Sequence, residues 1–147
     1  MIWKVKKVEI YIDGCCLGNR FKNCNRTGSA AIVVFNDYGH LVYENGVVIE
    51  DNQCLTNNIC EYLGLMLAFD FIEENGLFNE DITIFSDSQL MVYQVNGIYS
   101  CDSKNLLPFY NEAVKFLEGR ENIKLEWIPR EQNTLADELS KEIVCEK

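Results

Sequence analysis

The hydrophobic pattern divides the chain into a first part that reads as strands and a second part in which strands and helices alternate. Apolar residues alternate with polar ones over residues 4–12, and two β-branched runs follow at 29–36 and 41–49. A short turn at 37–40 separates the last two runs, which predicts a hairpin. Asp13-Gly14 is predicted to end the first strand, and a polar loop is predicted from there to Gly28.

The second part begins with an amphipathic helix at 57–75, where apolar residues recur every three or four positions. Capping residues precede this helix and an Asn-Gly pair follows it. Strands are predicted at 81–86 and 123–128, and further helices at 88–96, 106–117 and 134–144. The order β-β-β-α-β-α-α-β-α predicts an α/β fold with a mixed sheet, partly hairpin and partly parallel, covered by helices.

Length and composition indicate one ordinary globular domain over residues 1–147. The 147 residues are 48% hydrophobic, which is enough to form a core and too few residues for two domains. No apolar run approaches the roughly 20 residues that span a bilayer, so no membrane partner is expected. The first fourteen residues mix charge and bulk too closely for a signal peptide, and a cytoplasmic location is expected. Nothing in the sequence requires an oligomer, so a monomer is expected.

The seven cysteines and the charge leave the class of partner open. The cysteines are odd in number and the chain has one histidine, His40, so reduced thiols are favoured over a disulfide framework or a zinc site. The formal net charge of −10 argues against a nucleic-acid partner. However, residues 1–35 carry six basic and two acidic side chains, and such a basic end can hold a polyanion locally.

Four carboxylates fall at positions where an α/β sheet places its functional sites. Asp13 ends the first predicted strand, Asp87 ends the strand at 81–86, and Glu61 and Asp137 lie early in helices. Clustered carboxylates repel one another unless cations lie between them, and Mg²⁺ is held by such oxygens. Two such ions about 3.5–4 Å apart can activate a water and stabilise the leaving oxygen of a phosphodiester. This chemistry needs no histidine, cysteine or serine nucleophile.

In the stretches that contain these carboxylates, the sequence resembles a known family, the type 1 ribonucleases H (ribonuclease HI). The resemblance rests on four stretches in the family's order, which together span almost the whole chain. They are YIDGCCLGN at 11–19, TNNICE at 56–61, FSDSQ at 85–89 and WIPREQNTLAD at 127–137.

The resemblance implies a ribonuclease H-like fold, a five-stranded mixed sheet with helices on both faces. It implies an endoribonuclease that hydrolyses the RNA strand of RNA–DNA hybrids and leaves 3′-hydroxyl and 5′-phosphate ends. The catalytic and metal-binding set would be Asp13, Glu61, Asp87 and Asp137, holding two Mg²⁺ ions, with Mn²⁺ as a possible substitute. Asp13 would touch both ions, Glu61 and Asp87 would place the attacking water, and Asp137 would be the more mobile ligand.

The same resemblance implies a set of substrate contacts. Amide side chains suit the minor groove of a hybrid because they donate and accept without requiring one base sequence. The hydroxyl of Thr56 would contact a phosphate of the DNA strand. The groove contacts carried over from the family are Cys16, Asn19, Asn57, Asn58 and Gln89.

The sequence departs from the family pattern at two features, one that helps to bind the substrate and one that assists product release. Many members carry a basic helical protrusion between the fourth and fifth strands, and residues 96–107 are too short for one. The histidine that often precedes the last aspartate is absent; Arg130 stands nearby, either to hold a phosphate oxygen or to pair with an acid. Trp127 is expected to pack in the core rather than to stack on a base.

Two alternatives remain open for the function. The first is a catalytically weak domain that binds hybrids without cleaving them, although such a domain has no physical reason to keep four mutually repelling carboxylates. The second is a related metal-dependent nuclease or strand-transfer enzyme of the same broad fold, although the TNNICE stretch and the amide groove set are not typical of those enzymes. A substrate panel would separate them.

Overall fold

The computed structural model describes residues 7–18, 26–51 and 55–145. Within these ranges the elements follow the order that the sequence predicts. The strands are β1 (Lys7–Gly18), β2 (Arg26–Phe35), β3 (Leu41–Asp51), β4 (Asp81–Ser86) and β5 (Ile123–Trp127). The helices are α1 (Asn57–Glu74), α2 (Gln89–Val95), α3 (Leu107–Leu117) and α4 (Thr134–Cys145), with a 3₁₀ turn at Arg130–Gln132. In this part of the chain, no helix combines the length and the apolar character that crossing a membrane requires.

The five strands form one mixed sheet in the order β3-β2-β1-β4-β5. β1 pairs antiparallel with β2, and β2 pairs antiparallel with β3 as the predicted hairpin. β4 lies parallel to β1 on its other side, and β5 lies parallel to β4. The parallel pairs arise from crossovers through the helices, which is the connection that parallel strands need. The predicted mixed sheet is therefore confirmed.

Helices cover both faces of the sheet. The even-numbered β1 residues, such as Ile10 and Ile12, are buried against α1 in the main hydrophobic core. The odd-numbered positions lie on the opposite face, where the side chain of Asp13 is hydrogen-bonded to Ser140 of α4. Small side chains of β2, including Ala31, leave room for α4 to pack closely on this face.

The first strand is longer than the sequence predicts. Asp13-Gly14 does not end β1, which continues to Gly18 and pairs with β2 as far as Gly18 opposite Arg26. Only the parallel pairing with β4 ends here, at Ile12 opposite Ser86. The predicted loop to Gly28 is correspondingly wrong for residues 14–18 and 26–28, and its middle lies outside the described residues.

The elements from residue 55 onward agree with their predicted bounds to within one residue. The N-terminus of α1 is capped as expected: Thr56 lies in extended backbone, and its hydroxyl accepts a hydrogen bond from the Ile59 N–H at 3.2 Å. No helix lies between α2 and α3, where the resemblance would place a basic protrusion, and residues 55–145 are described without a gap.

Candidate active site

Three carboxylates from separate elements meet at the edge of the sheet where β1 and β4 part. One carboxylate oxygen each from Asp13, Glu61 and Asp87 lies within 4.8 Å of the other two. Asp13 is the first β1 residue beyond the parallel pairing, and Asp87 follows directly after β4. Glu61 comes from the second turn of α1. Their convergence follows from the topology, since neighbouring parallel strands end at the same edge.

Gly14 allows Glu61 to reach this edge. A Cβ atom on Gly14 would lie 2.2 Å from the carbonyl carbon of Cys60 and 2.5 Å from the Glu61 nitrogen, so only glycine permits this approach of α1 to β1. The Gly14 N–H donates a hydrogen bond of 2.9 Å to Oε1 of Glu61. The same backbone thus admits the helix and orients the carboxylate that the helix carries.

The fourth carboxylate, Asp137, lines the same cleft but lies outside the group of three. It is the fourth residue of α4, and its Oδ2 accepts a hydrogen bond of 3.1 Å from the Lys141 ammonium. Lys141 also lines the cleft, which has a volume of about 250 Å³. Lys141 was not among the site residues predicted from the sequence. Its spacing of four residues from Asp137 on a predicted helix was the signal that could have found it.

Burial sets the electrostatics of the cluster. Burial and the neighbouring charge of Asp87 raise the pKa of Asp13 to about 7. Burial and the charge of Asp13 raise the pKa of Glu61 well above its usual value. The pKa of Asp87 is also raised by burial, although the guanidinium of Arg130 opposes that shift. Three acids with raised pKa values in one cleft are typical of a functional site.

The cluster offers oxygen atoms that the protein itself does not satisfy. Oε2 of Glu61 and Oδ2 of Asp87 are buried without a hydrogen-bond partner. Buried acceptors of this kind are rare because each lost hydrogen bond to water is costly. A divalent cation would satisfy both oxygens and remove the mutual repulsion, and hard cations prefer carboxylate ligands. The donor set therefore fits a divalent metal ion.

The residues expected to contact substrate lie around this cluster. The hydroxyl of Thr56 accepts from Ile59 as the cap of α1, and Oδ1 of Asn57 accepts a 2.9 Å hydrogen bond from the Cys16 N–H. The Cys16 thiol, half-buried, contacts the Leu55 carbonyl oxygen at 3.4 Å. Asn57 and Asn58 are exposed and line the cleft.

The remaining expected contacts are Gln89, Asn19 and Arg130, of which Arg130 also lines the cleft. Gln89 is exposed at the first residue of α2, and Asn19 lies outside the described residues. Arg130 is exposed, with its Nε 4.0 Å from Oδ2 of Asp87. Trp127 does not pack in the core as expected: its side chain is 40% exposed and its indole N–H donates to the Asp87 carbonyl oxygen. Trp127 is the last residue of β5, and it is exposed although Ile123 and Leu125, on the same face of the strand, are buried.

Comparisons with known proteins agree with this geometry. Residues 13–143 match the family described as reverse transcriptase-like. The chain is 31% identical over 136 residues to the bifunctional protein Rv2228c of Mycobacterium tuberculosis, covering 92% of this chain and 35% of that protein. It is 30% identical over 138 residues to ribonuclease HI of Halobacterium salinarum, covering 92% of this chain and 63% of that enzyme. The chain thus spans about a third of the length of the first of these relatives and under two thirds of the second.

Solved structures extend the agreement to three dimensions. LC11-RNase H1, isolated from compost by a metagenomic approach, superposes with a TM-score of 0.83 at 27% identity, covering 95% of this chain and 96% of that one. The same protein has been solved in complex with an RNA/DNA hybrid. The resemblance that the sequence motifs indicated is confirmed. The chain belongs to the reverse transcriptase-like family and has the ribonuclease H fold.

Proposed function

We propose that the chain is a metal-dependent endoribonuclease that hydrolyses the RNA strand of RNA–DNA hybrids and leaves 3′-hydroxyl and 5′-phosphate ends. The observation that carries the proposal is the buried cluster of Asp13, Glu61 and Asp87, with two carboxylate oxygens lacking partners. Family membership supports it, as does the fold shared with LC11-RNase H1, a protein solved with such a hybrid.

Asp13, Glu61, Asp87 and Asp137 would hold two Mg²⁺ ions, with Mn²⁺ as a substitute. When bound, these ions supply an activated water and stabilise charge on the leaving oxygen of the phosphodiester. The Gly14 N–H donates a hydrogen bond to Oε1 of Glu61. Oε2 of the same carboxylate has no hydrogen-bond partner, so it would be available to a metal ion. Asp137 would have to leave its ion pair with Lys141 to bind a metal ion, which would make it the most mobile of the four ligands.

The groups around the cleft keep hydrogen-bonding capacity for a substrate. Oδ1 of Asn57 accepts from Cys16, so its amide N–H groups remain for the hybrid, as does the whole amide of the exposed Asn58. The Thr56 hydroxyl accepts from Ile59 and retains its proton for a phosphate oxygen of the DNA strand. Cys16, Asn19 and Gln89 would complete the minor-groove contacts, and Arg130 would hold a phosphate oxygen.

We further propose that residues 1–147 act as one domain, as a monomer, in the cytoplasm. The thiols of Cys16, Cys60 and Cys101 form no disulfide within the described residues, which suits a reducing compartment. Gel filtration would measure the oligomeric state directly.

The test is a cleavage assay on labelled RNA–DNA, RNA–RNA and DNA–DNA duplexes with Mg²⁺ or Mn²⁺. The wild-type chain is expected to cut the RNA strand of the hybrid. Asp13→Asn is expected to lower the rate at least about a thousandfold, because the central carboxylate is lost. Asp70→Asn, an exposed acid on α1, is the matched control and should leave the rate unchanged.

Each contrary outcome would support a different function for this chain. Binding of the hybrid without cleavage would favour the weak hybrid-binding domain, and cleavage of duplex DNA would favour a related nuclease of this fold. Full activity in Asp13→Asn would contradict the assignment of the site.

A further inference from the structure

A buried serine of α4 contacts the central carboxylate from the side opposite α1. Ser140 is fully buried, and its hydroxyl lies 3.1 Å from Oδ2 of Asp13. The same hydroxyl lies 3.0 Å from the carbonyl oxygen of Asp137, one helical turn earlier. The Ser140 carbonyl in turn accepts a hydrogen bond from the hydroxyl of Ser29 on β2. Neither serine belongs to the proposed catalytic or substrate-binding set.

We propose that Ser140 is a positioning residue that holds the Asp13 carboxylate in the orientation required for metal binding. The inference rests on the proposed function and deepens it by assigning a role to a residue outside the four carboxylates. The ionised Asp13 carboxylate and the Asp137 carbonyl oxygen are both acceptors, so the single proton of the Ser140 hydroxyl is shared between these two contacts.

The hydrogen bond acts on a soft torsion. The terminal torsion of an aspartate is broad, so an unrestrained carboxylate turns its two oxygens over a wide range. A donor on Oδ2 fixes the plane of the group and therefore the direction of Oδ1. Hydrogen-bond partners of metal-binding carboxylates commonly act in this way.

The position of Ser140 on α4 also relates Asp13 to Asp137. Asp137 and Ser140 are three residues apart on α4, so they lie on the same face of the helix, and Asn133 directly precedes its first residue. The buried Asn133 donates from Nδ2 to the Ile12 carbonyl oxygen at 2.9 Å. Asp137 therefore lies between two side chains that tie the start of α4 to adjacent residues of β1. This two-point attachment explains why Asp137 reaches the cleft from a helix on the other face of the sheet.

The experiment compares Ser140→Ala with the wild-type chain in two Mg²⁺ titrations. One follows the rise of the melting temperature with Mg²⁺, and the other follows cleavage of a labelled RNA–DNA hybrid. We expect Ser140→Ala to need about tenfold more Mg²⁺ in both titrations. At saturating Mg²⁺ its cleavage rate should return to within about twofold of wild type, because no group that touches the substrate has been removed.

Ser29→Ala is the matched control, because it removes a buried hydrogen bond to the same residue of α4 without touching Asp13. It should leave both Mg²⁺ midpoints within about twofold of wild type even if it lowers stability similarly. Equal midpoints for Ser140→Ala and the control would overturn the inference and leave the proposed function intact. If Ser140→Ala does not fold, Ser140→Cys, a near-isosteric and weaker donor, is held to the same expectation. A wild-type chain that neither responds to Mg²⁺ nor cleaves the hybrid would overturn the proposed function, and the inference with it.

Discussion

Gly14 determines how closely α1 can approach β1, and the candidate site depends on that distance. The backbone of Cys60 and Glu61 occupies the space that any Gly14 side chain would need. The same residue supplies the N–H that orients Glu61. At the scale of single residues, the absence of a side chain at position 14 is therefore a condition for the cluster to form.

Gly14→Ala is expected to lower the free energy of unfolding by about 2–3 kcal/mol, because backbone atoms of α1 cannot move aside without moving the helix. It should also weaken Mg²⁺ binding, since Glu61 is displaced with the helix. Gly46→Ala is the control: its new Cβ would clash only with Cδ1 at the end of the Ile143 side chain, which can change rotamer. Denaturant unfolding of both variants measures the effect, and equal losses would argue against the close approach as the cause.

At the scale of elements, α4 carries more of the site than its single predicted aspartate. It presents Asp137 and, one turn later, Lys141, whose ammonium contacts the Asp137 carboxylate. An exposed pair at this spacing contributes only about 0.3–0.5 kcal/mol to stability. Its larger effect is on metal binding, because the Lys141 ammonium occupies a carboxylate oxygen of Asp137 that a metal ion would need.

Lys141→Gln is therefore expected to change the free energy of unfolding by less than about 0.5 kcal/mol. It should lower the Mg²⁺ concentration at which the melting temperature responds, because the competing ammonium is gone. Lys115→Gln, an exposed lysine in the last turn of α3, serves as the control for the loss of one positive charge. A higher Mg²⁺ requirement in Lys141→Gln would show that the lysine assists metal binding rather than competing with it.

At the scale of the whole molecule, the cluster adds to an already acidic protein. The formal net charge is −10, and three of the acids lie together, with Asp13 and Glu61 buried and Asp87 partly buried. Folding brings these carboxylates out of water and against one another, which disfavours their charged forms. The metal-free native state consequently keeps protons that the unfolded chain releases.

This difference predicts how stability depends on pH without metal. The pKa of Asp13 is raised to about 7 in the native state, whereas that of an unfolded aspartate lies near 4. Between these values the native state binds more protons, so the free energy of unfolding should fall as pH rises from about 4 to about 7. The slope has an upper limit of about 1.4 kcal/mol per pH unit for each proton retained.

Thermal and denaturant unfolding in the presence of a chelator, from pH 4.5 to 8, measure this slope. Asp13→Asn should flatten it, because the amide does not titrate. Added Mg²⁺ should stabilise the wild-type chain most at the upper end of the range, where the carboxylates are ionised. An equal slope in Asp13→Asn would refute the link between the buried cluster and stability.

The candidate site was predictable from sequence where its residues follow elements with strong patterns. Asp87 follows a short buried strand, Glu61 follows a capped helix start, and both were expected at one edge of the sheet. The first strand was mispredicted because Asp-Gly is typical of a turn. In the structure the glycine instead accommodates the backbone of a packed helix. Lys141 was recognisable from its spacing to Asp137. Asn133 and Ser140 were not, because their roles become clear only when the strand that α4 packs against is known.

The sequence by itself determined the order of elements, the mixed character of the sheet and the identity of the carboxylates, because hydrophobic periodicity, caps and turn residues are local properties. Only the tertiary structure decided that Asp13, Glu61 and Asp87 lie within 4.8 Å of one another while Asp137 pairs with Lys141. It also decided that Ser140 contacts Asp13 across 127 residues of chain. Such distances depend on how helices pack on a sheet, and that packing results from contacts between residues far apart in sequence.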